Sequence, residues 1–153
     1  MRFVVDCMLG KLAKWLKILG FDVLYFSKIG DEEILDIAKT QNRTLLTRDS
    51  YLIKKAKDIP NLFIESEKWS EQVIQVINFF KLHNKIKPYS RCIECNYPLK
   101  KIKKERVKNL VAPFIYENEN EFALCPKCGR VYWPGTHYRK MEVNIKNLIK
   151  GSS

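Results

Sequence analysis

The sequence predicts an α/β fold: a doubly wound parallel sheet followed by a small cysteine-bearing module. Three observations carry that reading. Short apolar runs alternate with amphipathic segments from residue 2 to about residue 87. The rhythm breaks at KIKPYSRC (85–92), and beyond the break stand two C-x-x-C units with few helical periods. Strands alternating with helices at this spacing imply parallel pairing with right-handed crossovers.

Each element follows from its residues. RFVV (2–5) reads as a strand, and residues 8–19 as a helix whose Leu9, Leu12, Ala13, Leu16 and Leu19 recur at three- and four-residue spacing. Gly20 stands where a C′ glycine ends a helix. FDVLYF (21–26) is a second strand, and GDEEILDIAKTQ (30–41) a helix opened by an aspartate. TLLT (44–47) makes a third strand, SYLIKKAKD (50–58) a helix, NLFIE (61–65) a fourth strand and SEQVIQVINFFKLHN (70–84) a closing helix. The strands are nearly continuous apolar runs, as expected where both faces of a sheet are covered. The organisation expected is an α/β domain over residues 1–87, a compact module over 91–141 and a tail over 142–153.

The charge is uneven. Of the formal +11, residues 91–153 hold 13 Lys+Arg against 6 Asp+Glu, whereas residues 1–90 hold 15 against 11. Such an excess favours an anionic partner, nucleic acid being the commonest. No apolar stretch approaches the roughly 18 residues of a spanning helix, and Asp6 and Lys11 interrupt any secretory signal. The expected location is the cytoplasm, where paired cysteines suggest metal before disulfide.

Cys92-x-x-Cys95 and Cys125-x-x-Cys128-Gly129 are separated by 29 residues. A two-residue gap lets both thiolates of one turn point at the same ion, and two such turns complete a tetrahedral S4 zinc site. The runs LVAPFIYE and EFAL between them fit the hairpin strands of a zinc ribbon. With four protein ligands the site is closed, so its zinc is structural. Cys7 is left over as a small core residue beside the first strand.

Three acids stand at three strand ends. Asp6 follows strand 1, Asp31 opens the helix after strand 2, and Asp49 follows strand 3. Ligand sites of open parallel sheets lie beyond the carboxyl ends of the strands, so all three belong to one edge. Each also stands at a helix N-terminus, where aspartate is a favoured cap. If they converge, carboxylates at close range repel unless a divalent cation sits among them, and Mg²⁺ or Mn²⁺ suits hard oxygen donors. Arg48, Lys11 and Lys14 lie where phosphates would be held. A metal-dependent phosphodiesterase satisfies both the acidic cluster and the basic chain. Other phosphoryl-handling folds fit less well: Met8 stands where a haloacid-dehalogenase-type phosphatase wants a second aspartate, and no glycine-rich phosphate loop is present.

DCMLGKLAKWLKILGFDV (6–23), GDEEIL (30–35) and LLTRD (45–49), followed by C-x-x-C, C-P-x-C-G and YWPGTH (132–137), resemble the mut-seven C-terminal RNase domain family. The resemblance covers about residues 2–141 with its motifs in order. It implies a PIN-like nuclease fold with a C-terminal zinc ribbon, and RNA hydrolysis dependent on Mg²⁺ or Mn²⁺. The family's acids fall on Asp6, Asp31 and Asp49, with Glu32 adjacent to the second and Glu65 as a fourth candidate. In this reading the ribbon binds RNA through its aromatics and the basic run KKIKKERVK (100–108), and His137 is a loop residue that can meet a phosphate or base. Two other readings share the sequence: a non-catalytic RNA- or ribosome-binding module, and a PIN-type toxin with a dedicated protein partner.

Overall fold

A computed structural model of the chain describes residues 1–135, 139–140, 142–143, 146–147 and 150. His137 and parts of the expected C-terminal tail lie outside the described residues. The first half is built of β1 (Arg2–Val5), a 3₁₀ turn (Cys7–Leu9) running into α1 (Gly10–Ile18), β2 (Asp22–Tyr25), α2 (Asp31–Thr40), β3 (Thr44–Thr47), α3 (Ser50–Lys55), β4 (Asn61–Phe63) and α4 (Trp69–Phe79). All four strands are parallel, in the order β2-β1-β3-β4.

Alternation along the strands divides the core. Phe3, Val5, Val23 and Leu46 pack with α1 and α4, whereas Val4 and Leu45 pack with Ile34 and Ala38 of α2 and Leu52 of α3. The sheet is therefore covered on both faces, and its central strands β1 and β3 are nearly continuous apolar runs, as the sequence pattern required. Trp15 and Trp69 stack with ring centroids 4.9 Å apart, tying α1 to α4. Gly20 has φ +98°, and a Cβ there would come within 2.3 Å of the Lys87 carbonyl oxygen. Only glycine permits both the left-handed end of α1 and the passage of the 86–91 segment across it. The closing helix is shorter than its period suggested: Lys81, at φ 55°, ends it, and a separate 3₁₀ turn covers His83–Lys85.

The second half holds an antiparallel sheet of β5 (Lys100–Ile102), β6 (Phe122–Leu124) and β7 (Val131–Tyr132). EFAL does supply a strand, but LVAPFIYE does not: it contains the short helix α5 (Pro113–Asn118). Ala112 is extended, as a residue before proline must be, and Pro113 occupies the first turn, where its missing N–H costs nothing. The partner strand comes instead from the basic run, at Lys100–Ile102. No helix among the described residues is long and apolar enough to cross a membrane.

Candidate active site and cysteine centre

The strand order places a topological switch point between β1 and β3: the chain leaves β1 towards one side of the sheet, and β3 and β4 build on the other. Asp6 leaves β1 at that point with its N–H donating to Leu46 O at 3.0 Å. Its carboxylate is buried and doubly held. The Cys7 N–H donates to Oδ1 at 2.7 Å, and the Thr47 hydroxyl donates to Oδ2 at 2.7 Å. Thr47, fully buried at the end of β3, accepts in turn from the Asp49 N–H at 2.9 Å. One hydroxyl thus bridges Asp6 and the backbone of Asp49.

Asp49 caps α3, its Oδ1 accepting from Tyr51 N–H at 2.9 Å and more weakly from Leu52 N–H. Among the described residues its Oδ2 takes no hydrogen bond. Cap and candidate ligand are here the same carboxylate, one oxygen for each role. Asp31 is placed differently. It opens α2 behind the Gly30 cap, is partly exposed, and pairs with Lys55 Nζ at 3.3 Å. Glu32 and Glu65 are exposed.

The expected phosphate-binding cations divide. Arg48 spends its guanidinium on the loop leaving β4, donating to Ile64 O at 3.0 Å and Glu65 O at 2.6 Å, with Glu67 at 3.9 Å. Lys11 and Lys14 are exposed on α1. Lys11 lines a cleft of about 380 Å³ with Met8, Leu9, Lys68, Trp69 and Gln72, beside the segment that follows Asp6. Thr47 was not legible as a site residue, because a threonine ending an apolar run reads as strand.

Among the described residues, one group of metal-ligating side chains has its donor atoms gathered within 4.8 Å: Cys92, Cys95, Cys125 and Cys128. Cys92 Sγ and Cys128 Sγ stand 3.8 Å apart. A tetrahedral S4 site with Zn–S bonds of about 2.3 Å has edges of about 3.8 Å, so donor set and spacing fit zinc. Four thiolates cannot share this space without a cation. Desolvation, followed by hydrogen bonds with Cys128 and Cys92, pushes the Cys95 thiol up to about 12. Hydrogen bonding from the Arg130 backbone, against the effect of desolvation, draws Cys128 down to about 6. Knuckle backbone donors also serve the sulfurs, the Cys95 N–H reaching Cys92 Sγ at 3.3 Å.

The first knuckle is docked on the parallel sheet. Asn96, at φ 58°, accepts from the Val23 N–H at 3.0 Å through Oδ1 and donates to Asp22 Oδ1 at 2.6 Å through Nδ2. Buried Arg43 meets the same Asp22 oxygen at 2.8 Å and also donates to Phe3 O. Burial pushes the Asp22 carboxyl up, but the hydrogen bonds from Arg43 and Asn96 outweigh it and hold it below the ordinary range. Lys17 Nζ donates to Ile93 O at 2.9 Å, a second tie across the same boundary.

The chain thus joins a parallel α/β sheet, with Asp6 and Asp49 following its neighbouring strands β1 and β3, to a four-cysteine centre. The Mut7-C RNAse domain family matches residues 1–145, and the chain belongs to that family. The family's name points to ribonuclease activity with RNA as substrate. Comparison with curated proteins and with solved structures found no match.

Proposed function

We propose that the chain is a metal-dependent ribonuclease of PIN-like architecture, its acids at the switch point of the parallel sheet and its cysteine module a zinc ribbon that binds RNA. The observation that carries the reading is the Asp6–Thr47–Asp49 link. One buried hydroxyl bonds the Asp6 carboxylate and the backbone N–H of Asp49, leaving Asp49 Oδ2 uncommitted. A carboxylate donor set of this kind fits Mg²⁺ or Mn²⁺. Asp6 and Asp49 would hold the ion, which when bound lowers the pKa of a coordinated water and offsets charge developing on phosphate.

The chain's own residues do the rest. Thr47 fixes the spacing of the two acids, and the Cys7 N–H orients Asp6. Arg48 straps the β4 exit loop through Ile64 O and Glu65 O, with Glu67 at 3.9 Å. Asp31, whose carboxylate is not gathered with those of Asp6 and Asp49 among the described residues, would complete the set as its third acid. Its exposed pairing with Lys55 is of a class worth about 0–1 kcal/mol, so exchanging that partner for a cation costs little. Lys11 and Lys14 offer the entering strand its phosphate contacts, and the protein works as a soluble cytoplasmic enzyme.

The test is cleavage of single-stranded and hairpin RNAs by the zinc-loaded full chain, with and without Mn²⁺, beside Asp49→Asn. Asparagine caps helices as well as aspartate does, so the fold is kept while an anionic ligand is lost. We expect Mn²⁺-dependent cleavage that falls in the variant by at least about 10–100-fold, the loss typical of outer partners alone. Equal cleavage by both proteins, or none by wild type with Mn²⁺, overturns the reading and leaves a non-catalytic RNA-binding module.

A further inference from the structure

The second half of the chain carries a cleft of about 400 Å³ that the active-site reading does not use. Its volume falls within the roughly 300–1,000 Å³ usual for small-molecule sites. Lys101, Ala123 and Tyr132 line it, and strand register puts these three in one row across β5, β6 and β7. Side chains of one cross-strand row share a face. A small residue therefore separates a cation from an aromatic ring, and the row is hollow at its middle.

The ring is fixed in advance. The Tyr132 oxygen lies 3.0 Å from Cys92 Sγ and accepts from the Ile93 N–H at 3.3 Å, so the first cysteine knuckle positions one wall of the cleft. Tyr89 and Trp133 also line it. The rim is basic: Lys101, Lys103 and Lys104 line it against one acid, Glu121. Lys104 is held at the rim by Asn120 Oδ1 at 3.3 Å and lies over the Tyr116 ring, whereas Lys101 and Lys103 are exposed.

We propose that this cleft takes one unstacked nucleobase of a single-stranded RNA, with Lys101 and Lys103 on the flanking phosphates. The choice of RNA rests on the ribonuclease reading; the cleft adds where a single strand is gripped and by what chemistry. An aromatic wall and an apolar hollow suit a flat π-face of any base, and the lysine rim suits the backbone on either side. A duplex keeps its bases stacked and offers nothing to the hollow.

The experiment is equilibrium binding of a labelled 12-mer oligouridylate to the zinc-loaded full chain, without added Mg²⁺ or Mn²⁺, across a salt series. Three perturbations are compared. Ala123→Leu fills the hollow, Lys101→Glu reverses one rim charge, and a 12-mer of abasic residues removes the bases while leaving the protein untouched. We expect the abasic strand to bind roughly five- to 150-fold more weakly, the loss of one stacked base. Ala123→Leu should lose a similar factor for the intact strand and little more for the abasic one. Lys101→Glu should weaken both and reduce the salt slope by about 0.7.

Equal affinity for intact and abasic strands overturns the proposal, as does a duplex that binds as well as the single strand. So does normal binding by Ala123→Leu with its zinc content intact. If that variant does not fold, the abasic strand and Lys101→Glu decide the matter. Because no catalytic metal is present, the outcome is independent of cleavage. Base-dependent binding with cleavage undiminished in Asp49→Asn would sink the nuclease assignment of the acids and leave the cleft standing.

Discussion

Thr47→Val removes the hydroxyl that joins the two acids while keeping the side-chain volume. In the native protein that hydroxyl donates to Asp6 Oδ2 at 2.7 Å and accepts from the Asp49 N–H at 2.9 Å, inside a residue that is 0% exposed. Valine leaves both partners without a bond. A buried group stripped of its partner costs about 1–3 kcal/mol, and two such groups at the mouth of a crevice should cost about 2–4 kcal/mol together. For a chain of this size each kcal/mol lowers Tm by roughly 2–4 °C, which predicts a fall of roughly 4–16 °C. Thr47→Ser is the control: it keeps the hydroxyl and gives up one methyl, a loss of about 1 kcal/mol. Thermal unfolding followed by circular dichroism compares the three proteins, and Mn²⁺-dependent RNA cleavage is read on the same samples. The serine protein should keep the cleavage rate and the valine protein should lose most of it. A valine protein that melts no lower than the serine protein would show that the hydroxyl does not organise the acids, and the site argument would fail with it.

Three further outcomes follow from the same geometry. The full chain should bind one zinc by elemental analysis, and a strong chelator should abolish amide-exchange protection in the 92–132 segment before that of β1 and β3; protection unchanged after zinc loss would refute the structural role of the metal. Asp22, whose folded carboxyl lies below the ordinary value of 3.8, contributes stability that is present above that pH and lost as pH falls through the folded value. Acid unfolding should accordingly be steep below about pH 4 and shallower in Asp22→Asn, even though that variant starts less stable because Arg43 loses its buried partner. Lys55→Ala should change stability by no more than about 1 kcal/mol and should lower the Mn²⁺ concentration needed for half-maximal cleavage, since it frees Asp31; an unchanged or higher requirement would remove Asp31 from the metal set.

The residues themselves explain what was legible in the sequence. The central strands β1 and β3 were readable because burial on both faces favours nearly continuous apolar runs, and α1 because Leu9, Leu12, Ala13 and Leu16 mark one face at helical spacing. The cysteine quartet was readable because ligand geometry dictates the two-residue gap. LVAPFIYE misled because hydrophobicity alone does not separate a short helix from a strand; Pro113, standing where a helix can begin, was the available signal. Arg48 looked like a phosphate ligand by its neighbour Asp49, yet its guanidinium is directed at carbonyls of the next strand's exit. Such a contact joins residues 16 and 17 positions apart and leaves no local trace. The same holds for Asp22 and Asn96, which are 74 positions apart.

That last pair gives a reason for the two parts to occur in one chain. β2 is an edge strand of the parallel sheet, and an edge strand presents backbone donors that invite pairing with another chain. The outward N–H of Val23 is taken by the side chain of Asn96, the residue directly after Cys95. Asn96 holds that position with a left-handed backbone, and Arg91 fixes it further by donating to its carbonyl oxygen at 2.6 Å. The first cysteine knuckle is thus the cover of the sheet's exposed edge, and Asp22 joins that cover to Arg43 and, through Phe3 O, to β1. A zinc ion held by the four cysteines would therefore contribute to the parallel sheet as well as to its own module, by holding a blocking side chain where a further strand would otherwise add.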